Sequence, residues 1–208
     1  YMFSGAIAFN QPLTFTDTSE VTTMSYMFEG AIAFNQPLTF NTGQVATMSL
    51  MFSGAIAFNQ SLAFNTGQVT DMGYMFAGAG AFNQPLTFTD TSEVTTMSGM
   101  FYDARAFNQL LTFNTEKVTD MFDMFAGARA FNQPLTFTDT SQVTTMSGMF
   151  YDARAFNQPL TFNTEKVTNM QEMFAGARAF NQSLTFTDTS QVTTMQAMFA
   201  GTTAFNQP

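Results

Sequence analysis

The sequence predicts a repeat solenoid in which each unit of 24 or 25 residues supplies one short parallel β-strand and a short helical or 3₁₀ turn. Three observations carry this. The pair Met-Phe recurs at Met2, Met27, Met51, Met75, Met100, Met124, Met149, Met173 and Met198, in steps of 25, 24, 24, 25, 24, 25, 24 and 25, and a fixed period of that size marks stacked repeat architectures. Met24, Met27, Phe28 and Ala31 fall at i, i+3, i+4 and i+7, as on a helical face, whereas Leu38 and Phe40 alternate with Thr39, as in a strand. The composition is that of one small unit copied, with 27 Phe and 17 Met among 208 residues and no Trp, Cys or His. So small a unit cannot bury Val21, Met24, Met27, Phe28, Ala31, Phe34, Leu38 and Phe40 alone, but stacked units bury them in a continuous column. At ~4.8 Å per strand, eight units would make a rod of roughly 40 Å.

The one-residue difference between units has a fixed address. Long units read TFTDTSEV or TFTDTSQV and short units TFNTGQV or TFNTEKV, and from Phe76 onward the two alternate. Asp17 with Glu20, and Asn41 with Gln44, have the N-cap and N3 spacing of a capping box, and Gly30 stands where a helix end needs φ > 0. Against a long helix, Val21, Thr22 and Thr23 are β-branched, which favours a 3₁₀-like turn. Pro12, Pro37, Pro85, Pro134 and Pro159 precede Leu-Thr-Phe or its equivalent, and proline is tolerated at the first residue of a strand. The expected strand is three to five residues long.

Composition also excludes functions. Without cysteine there is no disulfide framework and no thiolate chemistry. A net charge of −9 argues against binding nucleic acid, which demands a basic footprint. No apolar run is long enough to span a bilayer as a helix, so no membrane span is expected in this segment, and YMFSGA at the start is not a signal peptide. With no histidine and only Lys117 and Lys166 for amine chemistry, the chain is not expected to be an enzyme. No cofactor or metal is expected, because Asp17, Asp90, Asp139 and Asp188 recur as caps in TDTS rather than in a calcium-loop pattern.

Val-Thr-Thr-Met at 21–24, Met-Phe at 27–28, Gly-Ala at 30–31 and Phe-Asn-Gln at 34–36 make up a pattern that resembles the repeat of about 25 residues in mycoplasma- and Listeria-type surface lipoproteins, and more distantly the BspA-like leucine-rich-repeat superfamily. The resemblance covers the whole chain, 1–208, as a single solenoid of about eight repeats. Members of that group commonly carry Trp where this chain has Phe15, Phe40 and Phe64. The resemblance implies a leucine-rich-repeat-like solenoid displayed outside the cell, used as an adhesive or spacer, and brings no catalytic residues with it.

In a solenoid, equivalent positions form columns, and function is sought down them. Asn10, Asn35, Asn59, Asn83, Asn108, Asn132, Asn157, Asn181 and Asn206 form an unbroken column, expected to be an internal ladder; Asn59 and Asn181 also lie in NQS sequons. Two polar columns alternate with Leu and Phe and so point outward: Thr14, Thr39, Ala63, Thr87, Thr112, Thr136, Thr161 and Thr185, then Thr16, Asn41, Asn65, Thr89, Asn114, Thr138, Asn163 and Thr187. The threonines of this face, with Asn41, are a candidate binding surface. A third column changes from Ile7, Ile32, Ile56 and Gly80 to Arg105, Arg129, Arg154 and Arg178. The arginines are a candidate anion strip, with Asp103 and Asp152 two residues from Arg105 and Arg154, or else a solvated face. The isoleucines are a candidate partner patch.

Both ends of the sequence lie inside the repeat with no change of consensus, which is expected of a slice of a longer array or of a unit that stacks end to end. The expected function is a non-enzymatic extracellular structural or interaction solenoid, serving cell-surface adhesion, spacing or filament formation. Its partners would be a surface protein or glycan, or further copies of itself. The alternative is an ice-binding protein that uses the outward Thr-x-Thr/Asn face.

Overall fold

The computed structural model describes residues 1–15, 17–88 and 90–208. Thr16 and Thr89 of the candidate face lie outside the described residues. Equivalent residues of successive units pair in parallel: Thr23 with Thr47, Thr47 with Asp71, and onward through Thr96, Asp120, Thr145 and Asn169 to Thr194. Around the first bridge the Met24 N–H donates to Thr47 O at 3.0 Å and the Ala46 N–H donates to Thr22 O at 2.8 Å. This ladder falls on Val-Thr-Thr and its equivalents Val-Ala-Thr, Val-Thr-Asp and Val-Thr-Asn. The Leu-Thr-Phe segment, where the alternation predicts the strand, is bridged among the described residues only at Leu62–Leu86 and Leu111–Leu135. The physical reason is the stiffness of β-branched side chains, which disfavours a helix and suits a pleated ladder.

The segment with helical periodicity is a run of β-turns. The N–H groups of Met27, Glu29, Ala31 and Phe34 donate to the carbonyls of Met24, Tyr26, Phe28 and Ala31, each three residues back, at 3.0–3.2 Å. Between them, the N–H groups of Tyr26, Phe28 and Gly30 reach Ser49, Met51 and Ser53 in the next unit, at 2.7–3.0 Å. A helix points every N–H along its own axis, whereas here every second one leaves for the neighbouring unit, so no helix forms among the described residues. Tyr26 and Gly30 have φ of 60° and 64°, as the third position of a type II turn requires.

Inside the turns lie two aromatic columns. Phe28, Phe52, Phe76, Phe101, Phe125, Phe150 and Phe174 stack on one another with ring centroids 5.5–5.7 Å apart. Phe34, Phe58, Phe82, Phe107, Phe131, Phe156 and Phe180 do the same at 5.9–6.0 Å. Within a unit the two rings are offset-stacked, 4.0–4.2 Å apart from Phe28–Phe34 to Phe174–Phe180. All fourteen of these rings have zero exposure, and full burial of each stabilises by about 1.5–3 kcal/mol. The buried columns Met48 to Met170 and Met51 to Met173 fill the irregular space beside the rings.

Two polar ladders close the stack. Each Asn Oδ1 accepts the backbone N–H of the Asn one unit later, from Asn10–Asn35 to Asn181–Asn206, at 2.9 Å in all eight rungs. The following Gln adds its amide to the same oxygen, as Gln36 does on Asn10 at 3.0 Å. The second ladder is threonine. Thr91 Oγ1 donates to Asn114 O at 3.0 Å and accepts the Asn114 N–H at 2.8 Å. Thr18 and Thr140 treat Asn41 and Asn163 the same way, and Thr66, Thr115 and Thr164 so hold Asp90, Asp139 and Asp188. Asp17 and Asn41 cap turns rather than helices: Asp17 Oδ1 accepts the Ser19 N–H at 2.8 Å and Asn41 Oδ1 accepts the Gly43 N–H at 3.1 Å.

The inner ladder rungs serve donors and acceptors that water reaches poorly, so their loss costs the desolvation of the orphaned group. Asn83→Ala, which strands the Asn108 N–H, and Thr115→Val, which strands the Asp139 backbone, are each expected to destabilise by about 1–3 kcal/mol in urea unfolding. Thr115→Ser keeps the hydroxyl and is expected to cost far less. Gly78, at φ 66°, has room for a Cβ, so Gly78→Ala carries only the left-handed penalty of about 1–2 kcal/mol. Gly99→Ala is expected to cost more, because its Cβ would overlap the Tyr74 ring.

Candidate functional site

The face that departs most from the repeat runs from residue 99 to 178. Each unit holds two left-handed positions four residues apart, such as Tyr74 and Gly78, with φ of 54° and 66°. In two units the glycine moves to the first position, giving Gly99 with Asp103 and Gly148 with Asp152, the aspartates at φ 50° and 49°. Asp tolerates this region better than most residues. Moving the glycine therefore frees the second position for a carboxylate.

Those carboxylates take the arginines two residues on. Arg105 Nε and Nη2 donate to Asp103 at 2.9 and 2.8 Å, and Arg154 Nε and Nη2 donate to Asp152 at 2.8 and 3.1 Å. Arg129 Nε lies 3.3 Å from Asp152 Oδ2, so one carboxylate sits between two arginines. The Arg154 hydrogen bond, with Arg129 beside it, holds the Asp152 carboxyl below the usual range, and the Asp pairing raises Arg105 and Arg154. Three of the four arginines of the candidate anion strip thus have a carboxylate partner. Arg178 has none among the described residues. Tyr102 and Tyr151 stand beside the pairs, 45% and 47% exposed. Beyond Tyr151 a cavity of about 490 Å³ opens, bounded by Arg154 and Glu172 over alanine.

The threonine face divides in two. Thr14, Thr39, Thr87, Thr112, Thr136, Thr161 and Thr185 are exposed, although the Thr87 and Thr136 hydroxyls turn back to the carbonyls of Leu62 and Leu111 at 3.4 and 3.3 Å. The described members of the second column brace the chain. Thr138 Oγ1 accepts the Thr115 N–H, and Thr187 Oγ1 the Thr164 N–H, both at 2.9 Å. Asn41 and its equivalents Asn65, Asn114 and Asn163 close Asx turns at 3.0–3.1 Å. The NQS asparagines Asn59 and Asn181 spend their side-chain oxygens as ladder rungs. Ile7, Ile32 and Ile56 are exposed on the column that the arginines continue.

A family model described as "Mycoplasma protein of unknown function, DUF285" matches residues 1–88, 38–136, 85–161 and 110–208, overlapping matches that leave no residue uncovered. The chain belongs to the DUF285 family. No curated protein and no solved structure matches it. It is a tandem-repeat protein, and no helix among its described residues is long and apolar enough to cross a membrane. No group of three or more Asp, Glu, His or Cys among the described residues could hold a metal ion.

Three features of this DUF285 chain lie outside the columns singled out from the sequence. The buried threonine ladder was detectable, since its column is as unbroken as that of asparagine. The glycine exchange was detectable as the pairing of MSGMFYDAR with MFDMFAGAR. Asp123 is the third. It occupies a first left-handed position, φ 52°, with its carboxylate lying over Gly148, where a Cβ would overlap it. Partial burial pushes its carboxyl up to about 6, and the charge of Glu172 adds to the shift. The folded state therefore holds this proton more tightly than the unfolded chain does. Stability from this group is present below about pH 4 and is lost as pH rises toward 6. Asp123→Asn is expected to raise the thermal midpoint at about pH 7.5 and to leave it nearly unchanged at about pH 3.5, as calorimetry of both proteins would show.

Proposed function

We propose that the chain is a leucine-rich-repeat-like solenoid that works without catalysis, as a cell-surface interaction and spacer module. The observation that carries this is a division of labour among the columns. The unbroken polar columns, Asn10 to Asn206 and Thr18 to Thr164, are consumed in unit-to-unit hydrogen bonds. The columns that change along the chain, from Ile7, Ile32 and Ile56 to the arginines and from small residues to Tyr102 and Tyr151, are exposed ones. A rigid frame with a variable exterior suits recognition by an extended surface. The similarity to surface-lipoprotein repeats supports the location outside the cell.

The ice-binding reading fares worse. Ordered water needs two free, regular columns, and the second column of this face is committed to Asx turns and to bracing Thr115 and Thr164. The chain is expected to show no thermal hysteresis. Mild protease treatment and biotinylation of intact source cells is the direct test of the surface reading. Labelling of the chain before lysis is the expected result. A chain labelled only after lysis would overturn the reading.

A further inference from the structure

We propose that the face carrying Tyr151, Arg154 and Glu172 binds an extended, uncharged saccharide chain. The inference rests on the interaction-module reading and names the chemistry of its partner. The cavity beyond Tyr151 has a sequence origin. In the tyrosine's column the next two residues are Ala175 and Ala200, and after Glu172 its own column drops to Ala197. Large residues followed by small ones leave a notch of about 490 Å³, within the range of small-molecule sites.

Its walls suit a sugar. Tyr151 is 47% exposed and lines the cavity, and the negative π surface of an aromatic ring attracts the weakly positive C–H face of a pyranose. Arg154 is already locked to Asp152 through two hydrogen bonds, of 2.8 and 3.1 Å. Binding a hydroxyl pair there orders no further side chain, so little entropy is lost. Glu172 supplies a carboxylate acceptor from the next unit, and it makes no ion pair among the described residues.

Charge decides against an anionic ligand. Asp152 is shared between Arg129 and Arg154, and Glu172 offsets the charge that remains. The face is close to neutral on a chain of net charge −9, so a polyanion gains little here and meets repulsion elsewhere. Hydroxyl-rich, uncharged ligands escape that penalty.

The repeat extends the site. Tyr102, Asp103 and Arg105 reproduce Tyr151, Asp152 and Arg154 two units earlier, with the same bidentate pair. Two units advance about 10 Å at ~4.8 Å each, a step comparable to one disaccharide of an extended glycan. A chain lying along the columns would meet an aromatic face and a planar ion pair at each such step.

Calorimetric titration of the purified chain tests this, with cellohexaose, chitohexaose, mannohexaose and laminarihexaose as neutral probes and a heparin hexasaccharide as the anionic one. At least one neutral hexasaccharide is expected to bind, and more tightly than its disaccharide. Tyr151→Ala and Arg154→Ala should each weaken it about ten-fold or more, and Tyr151→Phe should retain binding. Tyr102→Ala should weaken the hexasaccharide alone. Arg178→Ala should change nothing. Should Arg154→Ala unfold, Arg154→Lys, which keeps the charge and loses the fork, gives the same reading. No binding of any neutral probe overturns the proposal, and binding of heparin alone with its loss in Arg178→Ala overturns it in favour of the anion strip. Because the titration uses the purified chain, its failure leaves the cell-surface reading standing, and failure of surface labelling leaves this site standing.

Discussion

The structure depends on laying each unit's Phe pair on the pair of the next. Phe28 and Phe34 have no exposure because Phe52 and Phe58 cover them. A unit of two dozen residues provides no other cover for groups of that size, since its own polypeptide forms only turns. Like must therefore lie on like, and this condition reaches every other position. A polar column survives only if each member can serve the next, which limits the choice sharply. Asn does so with one acceptor for a backbone N–H, and Thr with a hydroxyl that donates and accepts toward the same neighbour. A charged column fails the condition, because successive like charges repel, and the arginine column is relieved by Asp152 set between Arg129 and Arg154.

The same stacking sets the backbone. To bond across units, alternate N–H groups must leave the chain direction, which needs two left-handed residues per unit. Leu50, Tyr26 and Glu172 occupy such positions with side chains ordinarily unsuited to them. Each such residue costs on the order of 1–2 kcal/mol. The cost is tolerated because the neighbouring bonds of every turn, within and between units, fix the geometry. A single glycine per unit relieves one position, and the chain has used the choice of which one to place carboxylates at Asp103 and Asp152.

Much of this was legible in the sequence, and the misreadings have a definite cause. The period, the apolar set and the Asn column follow directly from residue positions. Helical spacing of Met24, Met27, Phe28 and Ala31 deceived because consecutive β-turns point their first and fourth residues inward. Turns at 24–27 and 28–31 bury Met24, Phe28 and Ala31 and half-bury Met27, which are spaced as on a helix. Strand alternation at Leu38 and Phe40 was genuine as a pattern of burial, but backbone pairing went to the β-branched Val-Thr-Thr. Side-chain period reports which way residues face, and only backbone hydrogen bonding distinguishes the ways of facing inward. Asp123 was hidden for another reason: its environment is made by Gly148 in the next unit, and an isolated aspartate carries no sign of the space above it.

Two periods coexist in the molecule, and their separation bears on function. The Phe, Asn and Thr columns repeat with every unit, whereas the set Gly99, Tyr102 and Asp103 recurs once, two units on, as Gly148, Tyr151 and Asp152. Stability needs only the shorter period. Placing this set twice on the exposed face, two units apart, has no counterpart in the packed interior, where the rings of both kinds of unit are equally buried. A feature that packing does not require, placed at a regular interval on an exposed surface, is what a partner with its own repeat would read. A compact ligand would find one site of interest at Tyr151. A polymer with a matching step would find the whole face.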